Sequence, residues 1–156
     1  MKILITGSLG FVGKFIAAEL AAHGHQPLMH DRHSHAEVRL DVTIAALKPD
    51  ACIHLAAIAH VPTCDKNPKA AYEINVGGTL HLLEAFRTHA PQGRFLFVST
   101  SLIYGNKARA TPLDEDATCE PDHVYGITKL SADLSTLLYH RRYGLPAMTV
   151  RPANHI

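Results

Sequence analysis

The sequence has little with which to close itself covalently. Its three cysteines, Cys52, Cys64 and Cys119, stand far apart, form no C-x-x-C pair and are odd in number. A disulfide framework is thereby excluded, and a reducing, cytoplasmic setting is expected. Charge of one sign is equally scarce, since 15 Lys and Arg face 14 Asp and Glu for a net charge of +1 with His neutral. No basic stripe exists to hold nucleic acid or an acidic membrane surface. A long hydrophobic run is missing too. The opening "MKILITG" reaches Gly7 after one lysine and a few apolar residues, too short for a signal-peptide core and far too short to span a bilayer. There is no repeat, low-complexity stretch or internal linker. What remains is 156 residues, 47% apolar, with mean hydropathy +0.02. That suits one soluble domain with a real core, and small molecules as partners.

Strand-like and helix-like stretches alternate. "KILITG", "QPLMHD", "AEVRLDV", "ACIHLAAIA", "RFLFVST" and "PAMTV" read as strands. Between them lie a helix "FVGKFIAAELAAHG" closed by Gly24, a short helix "TIAALKP", and long helices over about 68–89 and 123–143, with a polar loop over 105–122. Strands that are apolar throughout and alternate with helices predict an α/β, doubly wound, mostly parallel sheet covered on both faces.

The first strand runs into "TGSLGFVG", which places Gly7, Gly10 and Gly13 at a strand-to-helix turn. Glycines there permit a tight turn and close approach of a pyrophosphate, and the helix N-terminus offers free N–H groups and a positive dipole end. Asp31 follows Gly13 by 18 positions (31 − 13) at the end of the second strand, near the offset of the acid that accepts adenosine ribose hydroxyls. NAD is favoured because Asp31 would repel a 2′-phosphate. The adjacent Arg32 would receive one, which keeps NADP open.

Two further constellations carry chemistry. In "VYGITK", Tyr125 and Lys129 are four apart and share a helix face. A phenol near pKa 10 becomes a usable acid/base when an ammonium and an oxidised nicotinamide favour its anion. In "STSLIYG", Thr100 or a neighbouring serine stands at the carboxyl end of a strand, where open α/β sheets bind ligands. Twelve histidines include His30, His33 and His35 in "HDRHSH", but their spacing matches no closed zinc pattern and no metal is expected.

Glycine turn, strand-end hydroxyl and tyrosine–lysine pair, in that order, resemble the extended short-chain dehydrogenase/reductase family of nucleotide-sugar epimerases, dehydratases and reductases. The G-x-x-G-x-x-G spacing, "LDV" with Asp41 and Val42, "HLAA" at 54–57, "INVGGTLHLLEA" with Asn75, and "RPANHI" are similar to that family's motifs. The resemblance implies Tyr125 as acid/base, Lys129 as the residue that binds nicotinamide ribose and lowers the Tyr125 pKa, and Thr100 as the hydroxyl that positions the reacting oxygen. It implies cofactor contacts at Phe11, Val12, Leu55, Ala56, Ala57, Asn75 and Ser99, with Asp41 and Val42 beside the adenine. Ser101 and Asn154 are implied substrate contacts. A homodimer through helices 68–89 and 123–143 is implied as well, and Gly77 and Gly78 within the first of these predict close packing against a neighbour.

Two departures narrow the expectation. The family's sugar dehydratases place an Asp-Glu pair directly after the threonine, where this chain has Ser101 and Leu102, so dehydration is disfavoured. "RPANHI" is similar to a segment of reductases acting on GDP-4-keto-6-deoxymannose, with Ala153 in place of Phe. In that family the stretch after this segment builds the last strand and most of a substrate domain. The expectation is therefore a single dinucleotide-binding domain over 1–156, without the last strand and substrate domain. Its function is NAD(P)-dependent epimerase or reductase chemistry at C4 of a nucleotide-linked sugar, or else cofactor binding alone.

Overall fold

The computed structural model describes residues 1–31, 38–105 and 112–153. Five parallel strands, β1 (Lys2–Thr6), β2 (Gln26–His30), β3 (Ala51–His54), β4 (Arg94–Val98) and β5 (Ala147–Val150), form one sheet in the order β2-β1-β3-β4-β5. The helices are α1 (Phe11–Ala22), α2 (Val38–Leu47), α3 (Val61–Lys66), α4 (Pro68–Ala71), α5 (Gly78–His89) and α6 (Val124–Tyr143). The chain moves to one side of β1 for β2 and to the other side for β3, β4 and β5. With right-handed crossovers this puts α1 on one face and α2, α5 and α6 on the other, in keeping with the packing of α5 on both α2 and α6. Reversal of direction beside β1 opens a crevice at the carboxyl ends of β1 and β3.

The α/β parallel architecture is the expected one, and most elements fall where the residue pattern puts them. α1 ends at Gly24 with φ +74°, and the Gly24 and His25 N–H groups return to Ala21 and Leu20 carbonyls, closing a Schellman cap. Three local expectations are corrected. "AEVRLDV" alternates like a strand, yet its residues 38–42 open α2. Leu40 and Ile44, four apart, turn inward, Ile44 being fully buried, while Val42 is 65% exposed. The 68–89 stretch is one helical run interrupted by a π turn over Tyr72–Gly77, where the Gly78 N–H reaches back five residues to Glu73. Gly77 and Gly78 are not close-packed against the sheet or another helix of this chain. A Cβ on Gly78 meets nothing within 4 Å, and one on Gly77 meets only its own Tyr72 carbonyl at 3.9 Å.

The core lies between the sheet and α2, α5 and α6. Leu4, Cys52, Phe95 and Ala147 form one cross-strand row on that face and pack against Ile44, Leu82, Leu83, Phe86 and Tyr139. On the α1 face the row Met29, Ile5, Ile53, Leu96, Met148 is fully buried only at Ile5. Helices cover both faces, as expected; among the described residues the cover on the α1 face is partial.

Candidate functional site

A cleft of about 900 Å³ opens at the carboxyl ends of β1, β3 and β4. Its first wall is the glycine turn. Gly7 takes φ +70°, and a Cβ there would stand 2.8 Å from the Ala56 nitrogen. At Gly13 a Cβ would fall 2.5 Å from the Gly7 carbonyl oxygen and 2.7 Å from Ser8 Cα, so backbone meets backbone where no side chain fits. Gly10 precedes α1 in extended conformation without a side-chain cap, and Phe11, Val12 and Gly13 bring the helix N-terminus to the cleft. Asp31 lines the same wall and its carboxylate accepts the Leu9 N–H at 3.1 Å, which ties the turn to the end of β2.

The opposite wall comes from β4 and α6. Thr100 ends the β4 segment and its Oγ accepts the Leu102 N–H at 3.3 Å, starting a short 3₁₀ turn over Ser101–Tyr104. Its hydroxyl stands by the Tyr125 phenol and favours the phenolate. Tyr125 lies in the first turn of α6, whose cap is unusual: the neutral nitrogen Nδ1 of His123 accepts the Gly126 N–H at 2.8 Å, and Asp65 Oδ1 accepts the Val124 N–H at 3.0 Å. Lys129, 3% exposed, donates to the Val98 carbonyl at 2.6 Å and lies 4.1 Å above the centre of the Phe97 ring.

Electrostatics at this wall differ from the expectation. Burial holds the Tyr125 phenol above its ordinary value, with the Thr100 hydroxyl opposing that rise. Burial also pushes the Lys129 ammonium down to about 7, against the pull of Asp133. The phenol is therefore not lowered by Lys129 in this structure, because the ammonium is aimed at a strand carbonyl and an aromatic face.

The structure brings Gly7, Gly10, Phe11, Val12, Gly13, Asp31, Leu55, Ala56, Ala57, Ser99, Thr100, Tyr125 and Lys129 around one cleft. Other candidates lie elsewhere. Asp41 and Val42 are on α2, with Asp41 3.4 Å from His81 Nε2, and neither lines the cleft. Asn75 is buried under the floor with its amide engaged by Ile58 and Thr128, so it does not face a ligand there. Ser101 does not line the cleft either. Arg32, Asn154, His33 and His35 lie outside the described residues. Among the described residues no group of three His, Cys, Asp or Glu could hold a metal.

Leu9, Ala59, Leu102, Pro152 and Ala153 also line the cleft, and none of them is a candidate site residue in the sequence. Arg151 was likewise not marked as a site support. Its guanidinium pairs with the fully buried Asp133 of α6 at 3.0 Å and donates to the Tyr104 hydroxyl and the Glu115 carbonyl, which pins the chain after β5 to the cleft's rim.

The sequence model of the NAD dependent epimerase/dehydratase family matches residues 3–156. The chain belongs to that family. It is 35% identical to the GDP-6-deoxy-D-mannose reductase of Pseudomonas aeruginosa over 99% of its own length and 52% of the relative's. It is 34% identical to the UDP-glucose 4-epimerase of Corynebacterium glutamicum, covering 99% of the chain and 51% of the relative. Its backbone superposes on the Brucella ovis UDP-glucose 4-epimerase in complex with NAD with a TM-score of 0.89 at 32% identity, over 98% of this chain and 52% of that one. RMD from Pseudomonas aeruginosa complexed with NADPH gives 0.85 at 34% identity, over 99% and 54%. The chain thus spans about half the length of the curated relatives it matches. Among the described residues no helix is long and apolar enough to cross a membrane.

Proposed function

We propose that residues 1–156 form the dinucleotide-binding domain of an NAD(P)-dependent nucleotide-sugar epimerase or reductase, with hydride transfer at sugar C4 and Tyr125 as acid/base. The observation that carries this reading is convergence: the glycine turn with Asp31 on one wall, and Thr100, Tyr125 and Lys129 on the other, share one cleft. The residues fit a nicotinamide dinucleotide. Gly7 and Gly13 let backbone close on backbone where any Cβ would collide, which holds the turn tight at the cleft wall, and the Ser99 hydroxyl, 4% exposed at the cleft, is a buried polar group without a protein partner.

In this reading the N–H groups at the start of α1 take the pyrophosphate, Asp31 the adenosine ribose, and Lys129 with Ser99 the nicotinamide end. NAD is favoured over NADP by Asp31, and the complexes of the relatives include one of each. The nicotinamide, when bound, supplies the hydride acceptor and donor. Tyr125 moves the hydroxyl proton, and Thr100, beside the phenol, orients the reacting oxygen. Ser101 and Leu102 bring no carboxylic acid after Thr100, which favours epimerisation or reduction over dehydration. Phosphate contact by Asn154, a cytoplasmic setting, and a homodimer through helices 68–89 and 123–143 belong to the same proposal. Ile127, Leu134 and Leu138 form an exposed apolar stripe on α6 that suits such a pairing.

The second reading, a cofactor-binding module without turnover, is favoured by the phenol of Tyr125 standing above its ordinary value while the Lys129 ammonium is turned onto the Val98 carbonyl. An assay on nucleotide-linked hexoses and their 4-keto derivatives, following nicotinamide absorbance and epimer composition, separates the two. Turnover that drops at least about 100-fold in Tyr125→Phe with unchanged cofactor affinity supports the enzyme. Cofactor binding without turnover supports the module, and near-normal turnover in Tyr125→Phe removes the assigned proton-transfer role.

A further inference from the structure

Beneath the cleft lies a run of polar side chains that the proposed chemistry does not use. Thr6 at the end of β1, His54 at the end of β3, Thr79 on α5, Asn75 in the π turn and Thr128 on α6 are each at most 2% exposed. The hydrogen bonds fix which way each proton points. The Thr79 hydroxyl donates its single proton to the Asn75 carbonyl at 2.6 Å, so toward His54 Nε2, 3.0 Å away, its oxygen accepts. Nε2 therefore carries the proton. His54 Nδ1 is left to accept from the Thr6 hydroxyl, whose oxygen in turn receives the Ala56 N–H at 3.4 Å. Beyond Thr79, the Asn75 amide clamps Ile58 by both its N–H and its carbonyl and donates to Thr128 at 3.0 Å. Thr128 donates to the carbonyl of Tyr125 at 2.8 Å.

We propose that His54 is a positioning residue: its neutral imidazole, protonated on Nε2, is the central link that fixes the 55–58 floor of the cleft relative to the turn carrying Tyr125. This rests on the cleft being the cofactor site. Each link has a defined donor and acceptor, so a change of tautomer or loss of the ring leaves buried groups unpaired on both sides. Burial, with Lys129 nearby, holds the imidazole neutral by pushing its pKa down to about 3. The network explains why Asn75 faces inward and why a π turn is kept there: the amide must meet Ile58 and Thr128 together.

The test uses the chain as it is, labelled with ¹⁵N. Long-range ¹H–¹⁵N correlation spectra, with His54 assigned by its loss in a variant, should show only the Nε2–H form between about pH 8 and pH 5. An Nδ1–H form, or titration of His54 in that range, overturns the proposal. In the ligand-free Thr79→Val variant, which deletes the middle acceptor and donor at constant shape, amide signals should move at Ala56 and in the Tyr125–Lys129 turn. Changes confined to the surroundings of residue 79 overturn it.

NADH titration then reads the consequence. His54→Leu and Thr79→Val should weaken binding about 10-fold, and His54→Gln, which keeps an acceptor and a donor, should stay within about 3-fold of the parent. Ile44→Ala, a remote core change that destabilises without touching the network, should leave affinity unchanged. Equal losses in Ile44→Ala and Thr79→Val would reduce the effect to general stability and end the proposal. If the parent chain binds no NADH, the cofactor reading fails, and the two spectroscopic results alone decide the role of His54. Should His54→Leu not fold, Thr79→Val carries the test.

Discussion

The two faces of the sheet use similar side chains and bury them very differently. On the α2, α5 and α6 face, Phe95 and Phe97 are sealed and the row from Leu4 to Ala147 is continuous. On the α1 face, Met148 is 61% and Met29 54% exposed. The chemistry follows the sealed face. His54, Asn75, Thr128, Lys129 and Asp133 are held there in defined hydrogen bonds because water cannot reach them. Apolar composition alone does not say which face forms the core. Helix periodicity on the covering elements does.

Truncating a side chain on each face should separate the two most strongly. Phe95→Ala removes a fully buried ring that packs edge-on against Phe86 and beside His54, and should cost about 3–5 kcal/mol. Urea unfolding checks it, and a cost near that of an exposed residue would show the core is misplaced. Asp133→Ala should follow closely, at about 3 kcal/mol or more, because it strands the Arg151 guanidinium beside Tyr104. The same melts should report loss of order over 112–122, since Arg151 also holds the Glu115 carbonyl.

Smaller effects come from protonation on the sealed face. His54 falls from 6.5 to about 3 on folding, so between these values the unfolded chain binds a proton that the folded one refuses. Stability therefore drops as pH falls below about 6.5, by up to about 1.4 kcal/mol per pH unit, and His54→Gln should flatten that slope. Lys129 falls from 10.5 to about 7, so by the same sign stability rises as pH climbs from about 7 toward 10.5. Lys129→Met should abolish that rise while weakening cofactor binding. The least effect belongs to the open face: Met148→Ser should change unfolding free energy by under about 0.5 kcal/mol. A larger loss would mean that this face is covered in solution.

Much of the cleft was legible because its parts are local. A glycine turn between strand and helix, a tyrosine four residues before a lysine, and a hydroxyl at a strand end each declare themselves within a few positions. What the sequence does not show is non-local. Asp41 and Val42 sat in a stretch whose alternation imitates a strand, and only the inward turn of Leu40 and Ile44 against the core settles it as helix. Asn75 sits in a family-like motif, and no spacing rule shows that a π turn rotates it under the floor, onto Ile58 and Thr128. His123 as a helix cap and Arg151 as a rim anchor depend on partners scattered along the chain.

If one cleft serves both cofactor binding and proton transfer, NADH titration followed by ¹H–¹⁵N spectra will show it. The prediction is a single saturable isotherm in which the amides of Gly7 to Gly13, Asp31 and Leu55 to Ala57 move together with those of Ser99, Thr100 and Tyr125. Saturation that perturbs the glycine turn but leaves Thr100 and Tyr125 unmoved, or binding that maps to another surface, would contradict it.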